Sequence, residues 1–339
     1  MRPFAFERAP DTGAALRLAS QALSGGTPVR APAQFLAGGT TMLDLMKLDV
    51  MRPERLVDIN ALAGPHGAIE AGGDGLRLGA LARMADVADH PAVKRDFPVV
   101  AQSLALAASA QLRNMASIAG NVLQRTRCAY FRDVSWTACN KRDPGSGCAA
   151  SEGHNRLHAI LGTSEKCIAS YPGDFAQALV ALDATVELAG PKGSRTIPFA
   201  ELHRLPGDTP EVETVLRPDE LITAFTVPDL PWARRSLYLK VRDRESYAFA
   251  AASAAVALDM DGNTVREARI ALGGVATVPW RSRDAEAALA GQELTEGAAQ
   301  RAAEAAFRDA QTHGHNGFKP ELGRRTLVRA LLDAGRMEV

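Results

Sequence analysis

The sequence predicts an α+β protein that divides into two or three units, because 339 residues with 46% hydrophobic content exceed what a single small core needs. Three observations favour this class. Strand-like and helix-like patterns alternate in the first part of the chain. A stretch of about 40 residues without periodicity follows, longer than an ordinary loop. A further α+β unit follows the proline-containing linker Pro228–Pro231.

The first part is predicted to contain short strands alternating with helices, because its apolar residues recur with a period of two in some segments and of 3.6 in others. The predicted strands are Phe4–Glu7, Gln34–Ala37, Leu56–Ile59 and Leu76–Ala80. The predicted helices are Ala14–Leu23, Met42–Leu48, Met84–His90 and Val99–Leu112, the last rich in small residues.

Regular structure is predicted to return at Asp174–Ala189, as a helix followed by a strand. The later strands are Leu221–Val227, Ser236–Val241, Ala248–Leu258 and Val265–Leu272. Three helices are expected near the end of the chain, at Asp284–Ala290, Thr295–Ala310 and Gly323–Ala334.

The charge balance excludes several classes of partner. Lysine and arginine total 39, as do aspartate and glutamate, so no basic field attracts nucleic acid or an anionic membrane surface. No apolar run reaches membrane-spanning length, and the first residues lack the apolar core of a signal peptide. We expect no nucleic acid, no membrane insertion and no export signal on this chain.

Gly38-Gly39-Thr40-Thr41 stands where a predicted strand turns into a helix. Backbone amides and a helix N-terminus can bind an anion there, and glycines allow close approach, so the turn suits a pyrophosphate. It is neither a P-loop nor a Rossmann fingerprint, and a plain turn has the same pattern. Ser117 and Gly120-Asn121 form a second small polar turn that could close over the same phosphates.

All four cysteines fall within 40 residues, at Cys128, Cys139, Cys148 and Cys167. Four thiolates suit either a tetrahedral zinc ion or a cubane iron–sulfur cluster. The spacing Cys-x10-Cys-x8-Cys-x18-Cys has no short zinc knuckle and favours a loop around a larger object. Zinc, disulfides and free thiols remain alternatives. His154, His158 and the pair in His313-Gly314-His315 could be ligands, but they lie in polar, loop-like stretches and are expected on the solvated surface.

Several stretches resemble the flavoprotein subunits of the xanthine dehydrogenase family, and most closely the FAD subunit of bacterial periplasmic aldehyde oxidoreductases of the molybdenum hydroxylase type. Phe35–Lys47 and Gln111–Cys128 resemble the two FAD motifs. Cys139–Ala150 is similar to the insert by which that branch binds a [4Fe-4S] cluster. The likeness continues through Lys240–Ala250 and Ala271–Val275, so it covers nearly the whole chain.

The resemblance implies a two-lobed FAD-binding domain of the vanillyl-alcohol-oxidase-like (PCMH) type and a smaller α+β C-terminal domain. The FAD-binding domain would span residues 1–228, with lobes of about 1–60 and 61–228 and a cluster-binding insert at 125–168. A domain like the C-terminal part of carbon monoxide dehydrogenase flavoproteins would span residues 232–339.

The resemblance also implies site residues, none of them catalytic. The FAD pyrophosphate would be held by Leu36, Ala37, Gly38, Gly39, Thr40, Thr41, Met42 and Leu43, with Ser117, Gly120 and Asn121 closing the site. Near the flavin ring it places Asp174, Ile222 and the cation of Lys240. The cluster would be bound by Cys128, Cys139, Cys148 and Cys167. Mammalian members place an aromatic side chain against the flavin, but Val99–Leu112 contains none.

The implied function is electron transfer within a heterotrimeric aldehyde oxidoreductase, and the chain would be incomplete alone. A large partner subunit would carry the molybdenum cofactor, a small one the [2Fe-2S] clusters, and an external acceptor would take the electrons from FAD. The complex would be periplasmic by co-export with a partner, or cytoplasmic. The alternatives are the flavin subunit of a 4-hydroxybenzoyl-CoA reductase, a self-contained flavin oxidase and a non-catalytic zinc-stabilised scaffold.

Overall fold

The N-terminal part is a small parallel sheet with helices in its connections. The computed structural model describes residues 1–20 and 28–339. Parallel strands need crossover connections, which the intervening helices supply. The strand order is β1-β3-β2, all parallel. The elements are β1 (Ala5–Arg8), α1 (Thr12–Ser20), β2 (Ala33–Leu36), α2 (Met42–Lys47) and β3 (Arg55–Asp58). The predicted end of the first helix at Leu23 lies outside the described residues.

A second, antiparallel sheet follows, with the strand order β4-β5-β8-β6-β7. Its strands are β4 (Ile69–Gly72), β5 (Gly75–Gly79), β6 (Thr185–Gly190), β7 (Gly193–Pro198) and β8 (Leu221–Val227). The core beneath it contains Phe175, Phe199 and Phe225, whose rings meet edge to face. Strands β4 and β7 were not predicted, because turn residues and charges interrupt their apolar pattern.

One short helix, α3, precedes β4, and eight further helices lie between β5 and β6 in the described chain. They are α3 (Ala63–His66), α4 (Met84–Asp89), α5 (Pro91–Asp96), α6 (Pro98–Ala105), α7 (Ala110–Met115), α8 (Ile118–Val122), α9 (Ala129–Arg132), α10 (Ala149–Glu152) and α11 (Phe175–Ala181). The single helix predicted at Val99–Leu112 is wrong. Ala108 has a φ of 51°, which ends the first helix, and Ser109 caps the second by accepting a hydrogen bond from Leu112 N.

The C-terminal part is an antiparallel sheet covered by helices, with the strand order β12-β11-β10-β9. The elements are β9 (Ser236–Val241), β10 (Ala252–Asp261), β11 (Thr264–Gly273), β12 (Trp280–Arg281), α12 (Arg283–Leu289), α13 (Glu296–Ala306) and α14 (Lys319–Gly335). Alanine-rich faces of the helices pack closely on the sheet, so this part has its own core. The predicted α+β unit is confirmed here, and β10 begins four residues later than expected.

The segment between α8 and α11 carries the four cysteines and little regular structure, as its lack of periodicity predicts. It is joined to the C-terminal part by hydrogen bonds. Ile160 N donates to Val275 O at 2.8 Å, and Gln311 N donates to Ile160 O at 2.7 Å. The Asn316 side chain donates to Ala159 O at 3.2 Å. No helix within the described residues is long and apolar enough to span a membrane.

Candidate cofactor-binding site

A cavity of about 560 Å³ lies between the β2–α2 turn, the start of α8 and the segment that leads into β8. This volume is typical of sites for small molecules and cofactors. The cavity is lined by the Gly38–Thr41 turn and by Ser117 and Gly120 of the second stretch singled out in the sequence. The prediction of a turn for that second stretch is wrong, because Gly120 and Asn121 lie within helix α8. The fold therefore brings together two motifs that lie about 75 residues apart in the chain.

The Gly38-Gly39-Thr40-Thr41 turn forms one wall of this cavity. Helix α2 starts directly after it, with Thr41 as the N-cap residue and no side-chain cap, and Leu43 N donates to Gly39 O at 3.0 Å. An amide of this turn that makes no such bond can bind an anion. Gly39 has a φ of 75°, a conformation that costs other residues energy. A Cβ atom on Gly38 would overlap the carbonyl oxygen of Met115, so this position requires glycine.

Ser117 and Gly120 form the facing wall. Ser117 caps α8, and its Oγ accepts a hydrogen bond from Gly120 N at 3.2 Å. Asn121 is buried, and its Oδ1 has no hydrogen-bond partner among the described residues. An unpaired buried acceptor of this kind is available to a donor on a ligand or a water molecule.

The cavity contains most but not all of the residues that the resemblance places at the FAD. Those that line it are Ala37, Gly38, Gly39, Thr40, Thr41, Met42, Ser117, Gly120 and Ile222. Those that do not are Leu36, Leu43, Asn121, Asp174 and Lys240.

Asp174 and Lys240 form a buried ion pair instead, with 2.7 Å between Lys240 Nζ and Asp174 Oδ2. Tyr238 donates its hydroxyl to Asp174 Oδ1 at 2.6 Å, and Lys240 also donates to Leu106 O at 3.0 Å. Burial raises the pKa of the Asp174 carboxyl, while Lys240 opposes that shift. The pair joins the helical part of the FAD-binding region to strand β9.

Charged residues that the sequence analysis did not single out also line the cavity. Glu213 pairs with Arg125 at 2.5 Å and with Lys141 at 2.9 Å. His203 lies against the ring of Tyr171, and burial lowers its pKa to about 4, so it is neutral at pH 7. These residues are scattered along the chain and form no local motif.

All four predicted metal ligands line a second, small cavity, with room for about one water molecule. Cys139 and Cys148 face each other in an isolated antiparallel bridge, and Cys167 is buried on a neighbouring turn. None of the four cysteines is in a disulfide. The fold thus gathers the four thiols of the sequence around one space.

Burial controls the chemistry of these thiols. It raises the pKa of Cys128 to about 12, and it also raises the pKa values of Cys139 and Cys167. His158 Nε2 lies 3.2 Å from Cys128 Sγ. The expectation that His158 is solvated is wrong, because the chain folds back over it and burial lowers its pKa to about 4.

The candidate donors in the small cavity are four cysteine side chains. In the described part of the chain, no three His, Cys, Asp or Glu side chains converge where one metal ion would bind. A four-iron cluster is larger than one ion, so its ligands need not meet at a point. Four unpaired thiols around a common cavity are the donors that such a cluster uses.

The two cavities share a wall. Lys141, Cys167 and Ala169 line both of them. The cysteine cavity is therefore adjacent to the larger cavity and not at a remote surface.

Comparisons with known proteins place these features in a family. Residues 3–230 match the model of the FAD binding domain in molybdopterin dehydrogenase, and residues 237–334 match the carbon monoxide dehydrogenase flavoprotein C-terminal domain. The chain is 46% identical over 335 residues to the aldehyde oxidoreductase FAD-binding subunit PaoB of Escherichia coli strain K12, covering 98% of this chain and 99% of that protein.

More distant relatives have the same architecture. The carbon monoxide dehydrogenase medium chain of Hydrogenophaga pseudoflava is 29% identical over 276 residues, covering 81% of this chain and 78% of that one. A solved structure of carbon monoxide dehydrogenase from that organism superposes with a TM-score of 0.75 at 26% identity, covering 98% of this chain and 97% of that chain. These matches confirm the expected fold, an FAD-binding domain followed by an α+β C-terminal domain.

Proposed function

This chain belongs to the family of FAD-binding medium subunits of xanthine dehydrogenase and carbon monoxide dehydrogenase, and we propose its role within that family. We propose that it is the FAD- and [4Fe-4S]-binding electron-transfer subunit of a heterotrimeric, molybdenum-dependent aldehyde oxidoreductase. Its 46% identity to an aldehyde oxidoreductase FAD-binding subunit over nearly the full length of both proteins supports this substrate class.

The observation that carries the proposal is the cavity between the Gly38–Thr41 turn and the first turn of helix α8, where Gly120 lies. The amides after Gly38 and Gly39 and the start of α2 would hold the pyrophosphate of FAD, with Ser117 and Gly120 on the facing side. Ile222 would supply an apolar contact. When bound, FAD would accept electrons from a [2Fe-2S] partner subunit and deliver them to an external acceptor.

The four cysteines would bind the cluster beside the flavin. The thiols are not in disulfides and line one cavity, with Cys139 and Cys167 buried and Cys128 and Cys148 partly buried. Cluster binding would require the thiols to lose their protons. Coordination to iron would offset the energetic cost of ionising sulfur atoms that are buried. The cavity would have to widen to admit a cluster.

The partners of the proposed complex are a large molybdopterin-binding subunit and a small [2Fe-2S] subunit. This chain would then be an oxidoreductase subunit without a catalytic residue of its own for the aldehyde. We further propose that the complex is either exported on the signal of a partner or retained in the cytoplasm.

Purification of the complex with its partners and analysis for flavin, iron, molybdenum and zinc tests the whole assignment. We expect FAD, molybdenum and iron, and turnover of aldehydes but not of 4-hydroxybenzoyl-CoA. A colourless protein with stoichiometric zinc would overturn the assignment in favour of a scaffold.

The cluster is tested separately by Cys139→Ser, with Ser135→Ala in the same segment as the control. We expect the Cys139 variant to contain less iron than the control while its FAD content is unchanged. Equal iron content in the two variants would exclude Cys139 as a ligand.

The FAD site is tested by Gly39→Ala. Both Gly39 and Gly291 have a φ of 75°, but Gly291 lies in open space, so Gly291→Ala is a control with the same backbone cost. That cost is about 1–2 kcal/mol. We expect only Gly39→Ala to weaken FAD binding. A loss of about 1.4 kcal/mol in binding free energy would lower the affinity for FAD roughly tenfold and so reduce the FAD content of the purified protein. Equal occupancy in both variants would contradict the assignment.

A further inference from the structure

The wall between the two cavities is built around a buried cation. Lys141 and Cys167 line both cavities, and Lys141 is only 8% exposed. Its Nζ donates to Glu213 Oε1 at 2.9 Å and to the carbonyl oxygen of Pro210 at 2.9 Å. The ammonium group is therefore fixed in position between the two spaces.

The charges in this wall do not cancel. Glu213 is the shared partner of Lys141 and of Arg125, which is also only 8% exposed. Burial pushes the pKa of Glu213 up, but the two cations hold it below its ordinary value, so the carboxylate is ionised. Two positive charges face one negative charge, which leaves a surplus of one positive charge.

We propose that Lys141, positioned by Glu213, is a shared electrostatic control residue that raises the reduction potentials of the groups in both cavities. The inference rests on the proposed function, in which the larger cavity holds FAD and the cysteines hold an iron–sulfur cluster. It adds a role for a residue that is neither a ligand of the cluster nor part of a pyrophosphate-binding turn.

The physical reason is that both groups become more negative when they accept electrons. A nearby positive charge stabilises the reduced form over the oxidised form, and screening is weak because the wall is buried. A cluster bound by four thiolates is already an anion, so the surplus charge in the wall also offsets its burial. Cluster potentials are set in part by such local charges.

A purely structural ion pair leads to a different expectation. Removal of Lys141 would then lower thermal stability but would leave both reduction potentials unchanged. Removal of Glu213 would act in the same direction as removal of Lys141. Under the proposal, the two substitutions shift the potentials in opposite directions, because one removes a positive and the other a negative charge.

The experiment is a redox titration of the purified complex, with the cluster followed by electron paramagnetic resonance and the flavin by visible absorption. Lys141→Met, Lys141→Arg and Glu213→Gln are compared with wild type and with the exposed control Lys192→Met. Iron and flavin are first quantified in the wild type, so that absence of the cluster, which would refute the proposed function, is detected before any variant is assessed.

We expect Lys141→Met to lower the one-electron equilibrium constant for cluster reduction by roughly tenfold, about 59 mV, and to lower the flavin potential as well. Lys141→Arg should stay near wild type, and Glu213→Gln should shift the potentials upward. Unchanged potentials in Lys141→Met, or a downward shift in Glu213→Gln, would overturn the proposal. If Lys141→Met does not assemble, the sign of the shift in Glu213→Gln decides.

Discussion

The larger cavity, proposed to bind FAD, and the cysteine segment are neighbouring sites built in different ways. The walls of the first consist largely of backbone at the starts of two short helices: α2 begins after the Gly38–Thr41 turn, and α8 begins after Ser117. The second is framed by polar side chains that hold an irregular chain in place. Asn140, for example, accepts a hydrogen bond from Gly147 N at 2.9 Å and donates one to Lys166 O at 3.0 Å. A site built from main chain depends on the backbone conformation of a few residues. A site held by side chains depends on individual hydrogen-bonding groups.

Substitution of Arg142 is the strongest test of whether the two sites depend on different features. Its buried guanidinium donates to Tyr130 O at 2.7 Å, to Phe131 O at 2.9 Å and to Trp136 O. A further bond reaches Asp133 O at 3.4 Å, so Arg142→Met would leave four carbonyl groups without this donor, at a cost of about 3–5 kcal/mol. We expect faster hydrogen exchange across residues 128–142 and loss of iron, with FAD retained.

The control for this change is Arg301→Met, at an exposed position on α13. It should alter neither hydrogen exchange nor cofactor content. Simultaneous loss of FAD and iron in Arg142→Met would show that the two sites are one structural unit, against the comparison drawn above.

Lys319 allows a test in which the free energy of unfolding is measured as a function of pH. It is fully buried and donates to Gly274 O at 2.7 Å, and burial lowers its pKa from 10.5 to about 7. Between pH 7 and pH 9 the unfolded state binds more protons at this lysine than the folded state, so stability rises with pH. The rise is about 2 kcal/mol over this window, since each pKa unit corresponds to roughly 1.36 kcal/mol.

The measurement is the free energy of unfolding of wild type and Lys319→Met at pH 7, 8 and 9. The variant lacks the titrating group, so its stability relative to wild type should fall as the pH rises. Parallel curves for the two proteins would mean that Lys319 keeps its charge when folded.

Substitution of Ser117 has the smallest expected effect and tests the larger cavity, which is proposed to bind FAD. Ser117→Ala removes the cap of α8, a loss of about 1 kcal/mol. Ser109 caps α7 in the same way but does not line the cavity, so Ser109→Ala is the matched control. Both variants should lose similar stability, and only Ser117→Ala should bind FAD several-fold more weakly, as measured by fluorescence titration. Equal affinities would exclude Ser117 from the site.

Much of the fold could be predicted from the sequence because its elements have regular apolar periods. Strands β8 and β9 were predicted with the bounds that they have, and the later strands and helices differ from prediction at their ends. The break at Ala108 could not be predicted, because a run of small residues is compatible with both a continuous and an interrupted helix.

The two sites also differ in how far local sequence patterns predict them. The Gly-Gly-Thr-Thr turn is a local pattern, and it lies where the sequence predicts a phosphate-binding turn. The ion group of Arg125, Lys141 and Glu213 has no local pattern, because its members meet only after the chain has folded. Likewise, the burial of His158 depends on contacts with residues more than 150 positions later, such as the bond from Asn316 to its carbonyl oxygen.

Those late contacts set an order of events during synthesis on the ribosome. The stretch that carries the last cysteine is hydrogen-bonded to Val275, Gln311 and Asn316, so it cannot reach its final arrangement until nearly the whole polypeptide has been translated. The Gly38–Thr41 turn and helix α8 are made within the first 122 residues, but Thr277 and Val278 complete the lining of the larger cavity. A nascent chain would therefore form these two walls early and complete both cavities late, and any factor that delivers iron would meet an almost finished protein.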